Sequence, residues 1–107
     1  MGIVYLLCEL SDNPRFKIGV TKRGVEARIS QLKTGNSNDI HLVNKFESEH
    51  YKHIEIWLHR RFNKYKVNEG GTEWFDLPDE CVIDFIEHCK EVEATIIFMK
   101  ENNHFFK

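Results

Sequence analysis

No apolar run in this sequence approaches the ~20 residues that a membrane-spanning helix needs, so a chain that crosses a membrane by helices is excluded. A basic leader is missing too: MGIVYLLCEL carries no Lys or Arg ahead of its apolar stretch, unlike a secretory signal. Cysteine is scarce. Cys8, Cys81 and Cys89 are odd in number and lack the paired spacing of a disulfide framework or a zinc site. Free thiols in a reducing compartment are expected, which places the protein inside the cell, cytoplasmic or nuclear. Internal repeats, low-complexity stretches and linkers are absent as well. The 107 residues are therefore expected to form one domain.

What is present is enough for a packed core: 41 % hydrophobic and 12 % aromatic residues. The net charge of -2 conceals a segregation. Residues 15–66 hold 12 Lys and Arg against 5 Asp and Glu, whereas residues 67–107 hold 3 against 10. A basic working surface beside an acidic C-terminal part suits a polyanionic partner.

Gly2–Leu7 (GIVYLL) is apolar and β-branched and reads as a buried strand. Ser11–Pro14 supplies turn formers, and Phe16–Val20 alternates as a second strand pairing back on the first. Gly24–Lys33 reads as a helix with Val25, Ile29 and Leu32 on one face, which Arg28 borders. Ile40–Phe46 reads as a third strand. Ser48 is positioned to cap a second helix, running to about Asn63 with Ile54, Leu58 and Phe62 as its stripe and Trp57 beside them. Glu55 and His59 stand one turn apart on the same side of it. A Gly-Gly turn within Val67–Thr72 leads to a short strand or extended edge, Glu73–Leu77. Pro78 and Asp79 begin a last helix with Val82, Phe85, Ile86 and Cys89 as its stripe. Ile96–Phe98 fits either a continuation of that helix or a strand. The fold class is α/β in composition (α+β): a small antiparallel sheet flanked by helices.

If both early helices pack on the hairpin, Tyr5, Lys17, Arg28, Glu55 and His59 converge. Those five side chains make a phosphodiester site. A carboxylate holds a hard divalent cation, an arginine holds the phosphate and neutralises charge developing in the transition state, and Tyr5, Lys17 or His59 activates or positions water. One carboxylate supports a single Mg²⁺ or Mn²⁺, not a paired-metal clamp. Each residue also has an ordinary structural account: a core tyrosine, the outward member of an alternating strand, or a helix-surface pair worth a few tenths of a kcal/mol.

The order of these elements resembles the GIY-YIG nuclease superfamily, in particular its short, phage-associated branch, whose second signature is written KIG. The matching residues are Gly2-Ile3-Val4-Tyr5, Lys17-Ile18-Gly19, Arg28 in the first helix, Ile54–His59 for a Glu-x-x-Leu-His helix, and Thr72–Leu77 for a closing Glu-Trp-Phe element. The resemblance covers residues 2–78. It implies a three-stranded antiparallel sheet flanked by helices as the core, with residues 79–107 as an acidic helical extension. It also implies that Tyr5 contacts or activates water, Arg28 binds phosphate, Glu55 carries the metal and His59 assists. Gly19 would let the strand turn into the following loop. Lys17 replaces the usual second tyrosine. Glu73 or Asn68 would support the site.

The expected activity is metal-dependent hydrolysis of DNA phosphodiester bonds. Lys22, Arg23, Lys33, Arg60, Arg61 and Lys64 would contact the backbone, giving salt-sensitive and sequence-tolerant binding, and a homodimer or a separate recognition partner would supply specificity. The alternatives are a catalytically silent nucleic-acid-binding or protein-interaction module on the same fold, and a domain whose acidic C-terminal helix docks on a basic partner or on its own basic face.

Overall fold

The computed structural model describes residues 1–34, 39–67 and 74–102. β1 (Gly2–Glu9) and β2 (Arg15–Thr21) form the expected hairpin, in antiparallel register from Ile3↔Thr21 to Glu9↔Arg15. At its turn the Ser11 hydroxyl donates to the Asn13 carbonyl at 2.9 Å and accepts from the Asn13 N–H at 3.2 Å. Such local side-chain bonds satisfy the backbone where the ladder stops. α1 (Val25–Thr34) follows, and β3 (Ile40–Ser48) pairs antiparallel with the free edge of β1. α2 (Tyr51–Arg61), a 3₁₀ turn (Asn63–Tyr65), β4 (Lys66–Val67), β5 (Trp74–Phe75), α3 (Asp79–Ile83) and α4 (Phe85–Asn102) complete the chain. The Gly-Gly turn expected between β4 and β5 lies outside the described residues.

The sheet has five strands, in the order β3-β1-β2-β5-β4, rather than the three expected. The two extra strands show two described residues each, and β5 falls within the short strand or extended edge expected over Glu73–Leu77. Among the described residues β5 adds to the open edge of β2 through Phe16↔Phe75 and Lys17↔Trp74.

β1 is buried on both faces, and its alternation sorts the core into two. Val4 and Leu6 point to one side, where they join Ile18 and Phe75 beneath α2 (Ile54, Leu58), Phe62 and α4 (Phe85, Cys89, Val92, Ile96). Tyr5 and Leu7 point to the other, against Val25 of α1, Ile40 and Trp74. The result is a mixed α+β domain with helices on both faces of an antiparallel sheet.

The residues after 78 are not an appendage to this core. Cys81, Phe85, Cys89, Val92 and Ile96 form one buried line at helical spacing, so α4 closes the larger cluster. Cys81 rather than Val82 is the buried residue of the first turn, and Ile96–Phe98 is helical. Ser48 is the last residue of β3 and does not cap α2, whose N-cap is His50 with no side-chain capping bond. The Ser48 hydroxyl instead donates to Glu93 at 2.6 Å and accepts from the His50 N–H at 3.0 Å, tying the start of α2 to α4. All three cysteines are free and buried. Desolvation raises the Cys8 thiol pKa, with Glu9 adding to it, and pushes the Cys89 thiol up to about 12 with help from Glu93. These are inert core groups.

Candidate active site

Tyr5 sits at the middle of β1, opposite Gly19 of β2 and Lys45 of β3. Its ring lies flat on Gly19: a Cβ added there would stand 2.4 Å from the Tyr5 hydroxyl oxygen and 2.6 Å from Cζ. Gly19 is therefore needed for the close approach of an aromatic ring, not for a turn, since β2 runs on to Thr21. The hydroxyl of Tyr5, a residue only 1 % exposed, accepts from Arg28 Nε at 3.3 Å. Arg28 reaches it from the rim of α1, where the residue is exposed, and also donates from Nη1 to Gln31 Oε1 at 3.0 Å. Two of its five N–H groups are thus used among the described residues.

Lys17 lies two residues before Gly19, on the same face. It pairs with Leu7 and Trp74, and its Nζ stands 5.7 Å from the centre of the Trp74 ring. The Arg15 guanidinium stands 5.1 Å from the same ring and donates from Nη2 to Glu9 Oε1 at 2.9 Å. Glu9 is 2 % exposed. This row of carboxylate, cations and indole flanks the tyrosine, and neither Glu9 nor Trp74 was expected at the site. The signal was available in part, because Ile3, Tyr5, Leu7 and Glu9 share one face of β1.

On the other side of β2 stands α2. His59 Nε2 donates to the Ile18 carbonyl at 2.9 Å, and because that carbonyl only accepts, Nε2 carries the proton. The ring also meets Phe75 edge-on at 5.1 Å. Glu55, half-buried and one turn earlier, opens with His59 onto a cleft of about 450 Å³. Ile56, Arg60, Asn63, Lys66 and Phe75 also line it among the described residues. The signature Lys17-Ile18-Gly19 is thus the seam of the site: Lys17 faces Trp74, the Ile18 carbonyl holds His59, and Gly19 carries Tyr5.

The basic residues divide. Arg60 lines the cleft, and Lys66, not foreseen, lines it opposite. Lys22 and Arg23 are exposed in the turn from β2 into α1, with Lys22 on a separate recess beside Glu47. Lys64 is exposed, its Nζ 5.1 Å from the Tyr65 ring centre. Arg61 Nη1 is bound to Glu91 at 2.9 Å and to His88 at 2.8 Å, so it links α2 to α4. Lys33 belongs to α1, but its side chain lies outside the described residues, as do Asn68 and Glu73. Asn63, expected only as a helix end, is the asparagine at the cleft.

Glu55 is the cleft's carboxylate, with the Asn63 amide as a second hard donor. Among the described residues no three His, Cys, Asp or Glu side chains gather into a metal site. One carboxylate is the least that an ion of the Mg²⁺ type, which keeps several waters and takes substrate phosphate, asks of a protein. No helix among the described residues is long and apolar enough to cross a membrane.

An antiparallel sheet with a tyrosine–arginine pair on its α1 face and a Glu–His helix turn bonded to β2 from the α2 side makes a small mixed α+β domain with its candidate chemistry along β2. The chain belongs to the T5orf172 domain family, whose model matches residues 2–96. That match extends through most of α4, in agreement with the helix's place in the core. No curated protein and no solved structure matches the chain.

Proposed function

We propose that this domain is a GIY-YIG-type endonuclease that hydrolyses DNA phosphodiester bonds. The observation that carries the proposal is that the Tyr5–Arg28 pair and the His59 ring, with Glu55 one turn away, attach to the adjacent residues Gly19 and Ile18 of β2, from the two sides of the strand. Membership of the T5orf172 domain family supports a DNA-related module.

In this reading Arg28 binds the scissile phosphate with the N–H groups it does not use on Tyr5 and Gln31, and balances charge that builds on the phosphoryl oxygens. Its bond to the Tyr5 hydroxyl fixes the guanidinium's direction before substrate arrives. The Tyr5 oxygen, held at that spot by the Gly19 floor, orients the attacking water. Lys17 adds positive charge beside the phosphate; with its ammonium against Trp74 it serves as an electrostatic partner. His59 is anchored through Nε2, so Nδ1 is the ring nitrogen at which a proton is exchanged. Glu55 would hold one Mg²⁺ or Mn²⁺, which supplies Lewis-acid stabilisation of the leaving group. Lys22, Arg23, Arg60 and Lys64 would contact the DNA backbone, and a homodimer or recognition partner would provide target choice.

A second reading, a silent binding module, draws on the burial of Tyr5. Nicking of supercoiled plasmid with Mg²⁺ or Mn²⁺ separates the two, with wild type compared against Glu55→Ala and Arg28→Ala. Metal-dependent cutting lost in both variants is the expected result. A folded wild type that binds DNA and never cuts overturns the nuclease reading.

A further inference from the structure

The cleft has a composition that phosphate chemistry alone does not require. Glu55 and His59 occupy one end. The rest of the wall is Ile56, Arg60, Asn63, Lys66 and Phe75. Ile56 is 46 % exposed, a large aliphatic side chain held toward water among cations. The α2 stripe, Ile54 and Leu58, is fully buried, and Ile56 lies off it, so Ile56 is not a core residue displaced by packing. A site that only tracked a duplex backbone would need the cations and gain nothing from the isoleucine.

We infer that this cleft is a subsite for one nucleotide whose base has left the stack, immediately beside the scissile phosphate. The substrate class would then be DNA with an unpaired nucleotide at the cut, such as a flap, a bulge or a single strand. The deduction rests on the nuclease reading above and goes beyond it by naming the form of the DNA. The physical basis is a match of parts. A base out of its stack presents an apolar face, which Ile56 covers, and a polar edge, which the Asn63 amide meets with both a donor and an acceptor. Arg60 holds the backbone of the same nucleotide. A volume of about 450 Å³ lies within the ~300–1,000 Å³ range of small-ligand sites. A paired base cannot enter, because its edge is already engaged with its complement.

The test is binding, read without cleavage by fluorescence anisotropy in Ca²⁺, with a flap oligonucleotide and a fully paired duplex of equal length. Wild type should prefer the flap. Removing the apolar contact in Ile56→Asp, and more mildly in Ile56→Ala, should weaken flap binding roughly tenfold while duplex binding changes less than about twofold. Asn63→Ala should reduce the preference in the same direction. Ile97→Asp, an exposed aliphatic position on α4 away from the cleft, should change neither. Equal wild-type affinity for flap and duplex overturns the inference, as does a flap preference that survives both Ile56 variants. Because the readout is binding, it can fail while plasmid nicking succeeds, and it can succeed while nicking fails.

Discussion

Gly19→Ala places a methyl group in space that the Tyr5 ring occupies. The new Cβ would stand 2.4, 2.6 and 2.9 Å from the hydroxyl oxygen, Cζ and Cε1, where carbon contacts settle at ~3.5–4.0 Å. The ring must therefore rise by about 1 Å. It is fully buried against Leu7, Val25 and Trp74, so the movement is an overpacking strain of about 1–3 kcal/mol. Alanine returns about 0.5 kcal/mol through its lower backbone entropy in a strand. A net loss of about 2 kcal/mol is expected, roughly a 10 °C fall in Tm for a domain of this size. Thermal and urea unfolding of wild type, Gly19→Ala, Tyr5→Leu and the double variant measure it. In the Tyr5→Leu background, with no ring to displace, the alanine should cost less than about 0.5 kcal/mol. An equal cost in both backgrounds would refute the steric account. Gly2→Ala is the matched control, since its Cβ would stand 2.6 Å from the Tyr51 ring, away from the site. It should lower stability similarly and leave nicking by the folded protein intact, whereas Gly19→Ala should lose nicking through the shifted Arg28 bond.

Three further outcomes are expected. Arg15→Met strips the buried Glu9 of its guanidinium and should cost about 3 kcal/mol, with most of that recovered in Arg15→Met/Glu9→Gln; strictly additive urea midpoints would contradict it. The Cys89 thiol, neutral in the fold up to about pH 12 against an ordinary value of 9.0, binds its proton more tightly in the folded state. Its contribution is thus whole below pH 9 and drains as pH climbs toward 12, up to about 4 kcal/mol. Wild type should lose stability faster than Cys89→Ala across that window, and parallel curves would count against it. Truncation after Pro78 removes four of the most buried side chains of the larger cluster and should abolish cooperative unfolding followed by circular dichroism. A folded truncate with improved DNA affinity would instead restore the picture of a docked acidic tail.

The sequence made the hairpin, the two early helices and the third strand legible because each carries its period over six or more residues. β4 and β5 carry none, with two described residues each: β5 was legible only as a short strand or extended edge within Glu73–Leu77, and β4 was not foreseen. Tyr5, Arg28, Glu55 and His59 were readable as chemistry-bearing side chains at strand and helix positions; that the first two lie on the α1 face of the sheet and the last two on the α2 side was not. What they touch was not: Gly19 as a floor, the Ile18 carbonyl as an anchor and Asn63 at the cleft depend on packing between elements distant in the chain. Arg61 reads like its neighbour Arg60, and only the docking of α4 separates the brace from the wall. Charge segregation suggested an acidic tail, but the same segment's buried line shows that acidity coats the outer surface of a core helix.

The way α2 is attached to β2 has a consequence for how the domain can change over time. One residue past the last described pair of β2 with β5, a histidine side chain grips the main chain of β2, and Glu55 stands one turn along the same helix. α2 is therefore indexed to the sheet by a bond to backbone, which every amino acid supplies alike. Aliphatic residues beneath the helix can be exchanged at some cost in stability while the carboxylate keeps its address relative to Gly19. Loss of the histidine would leave the fold standing and let the address drift.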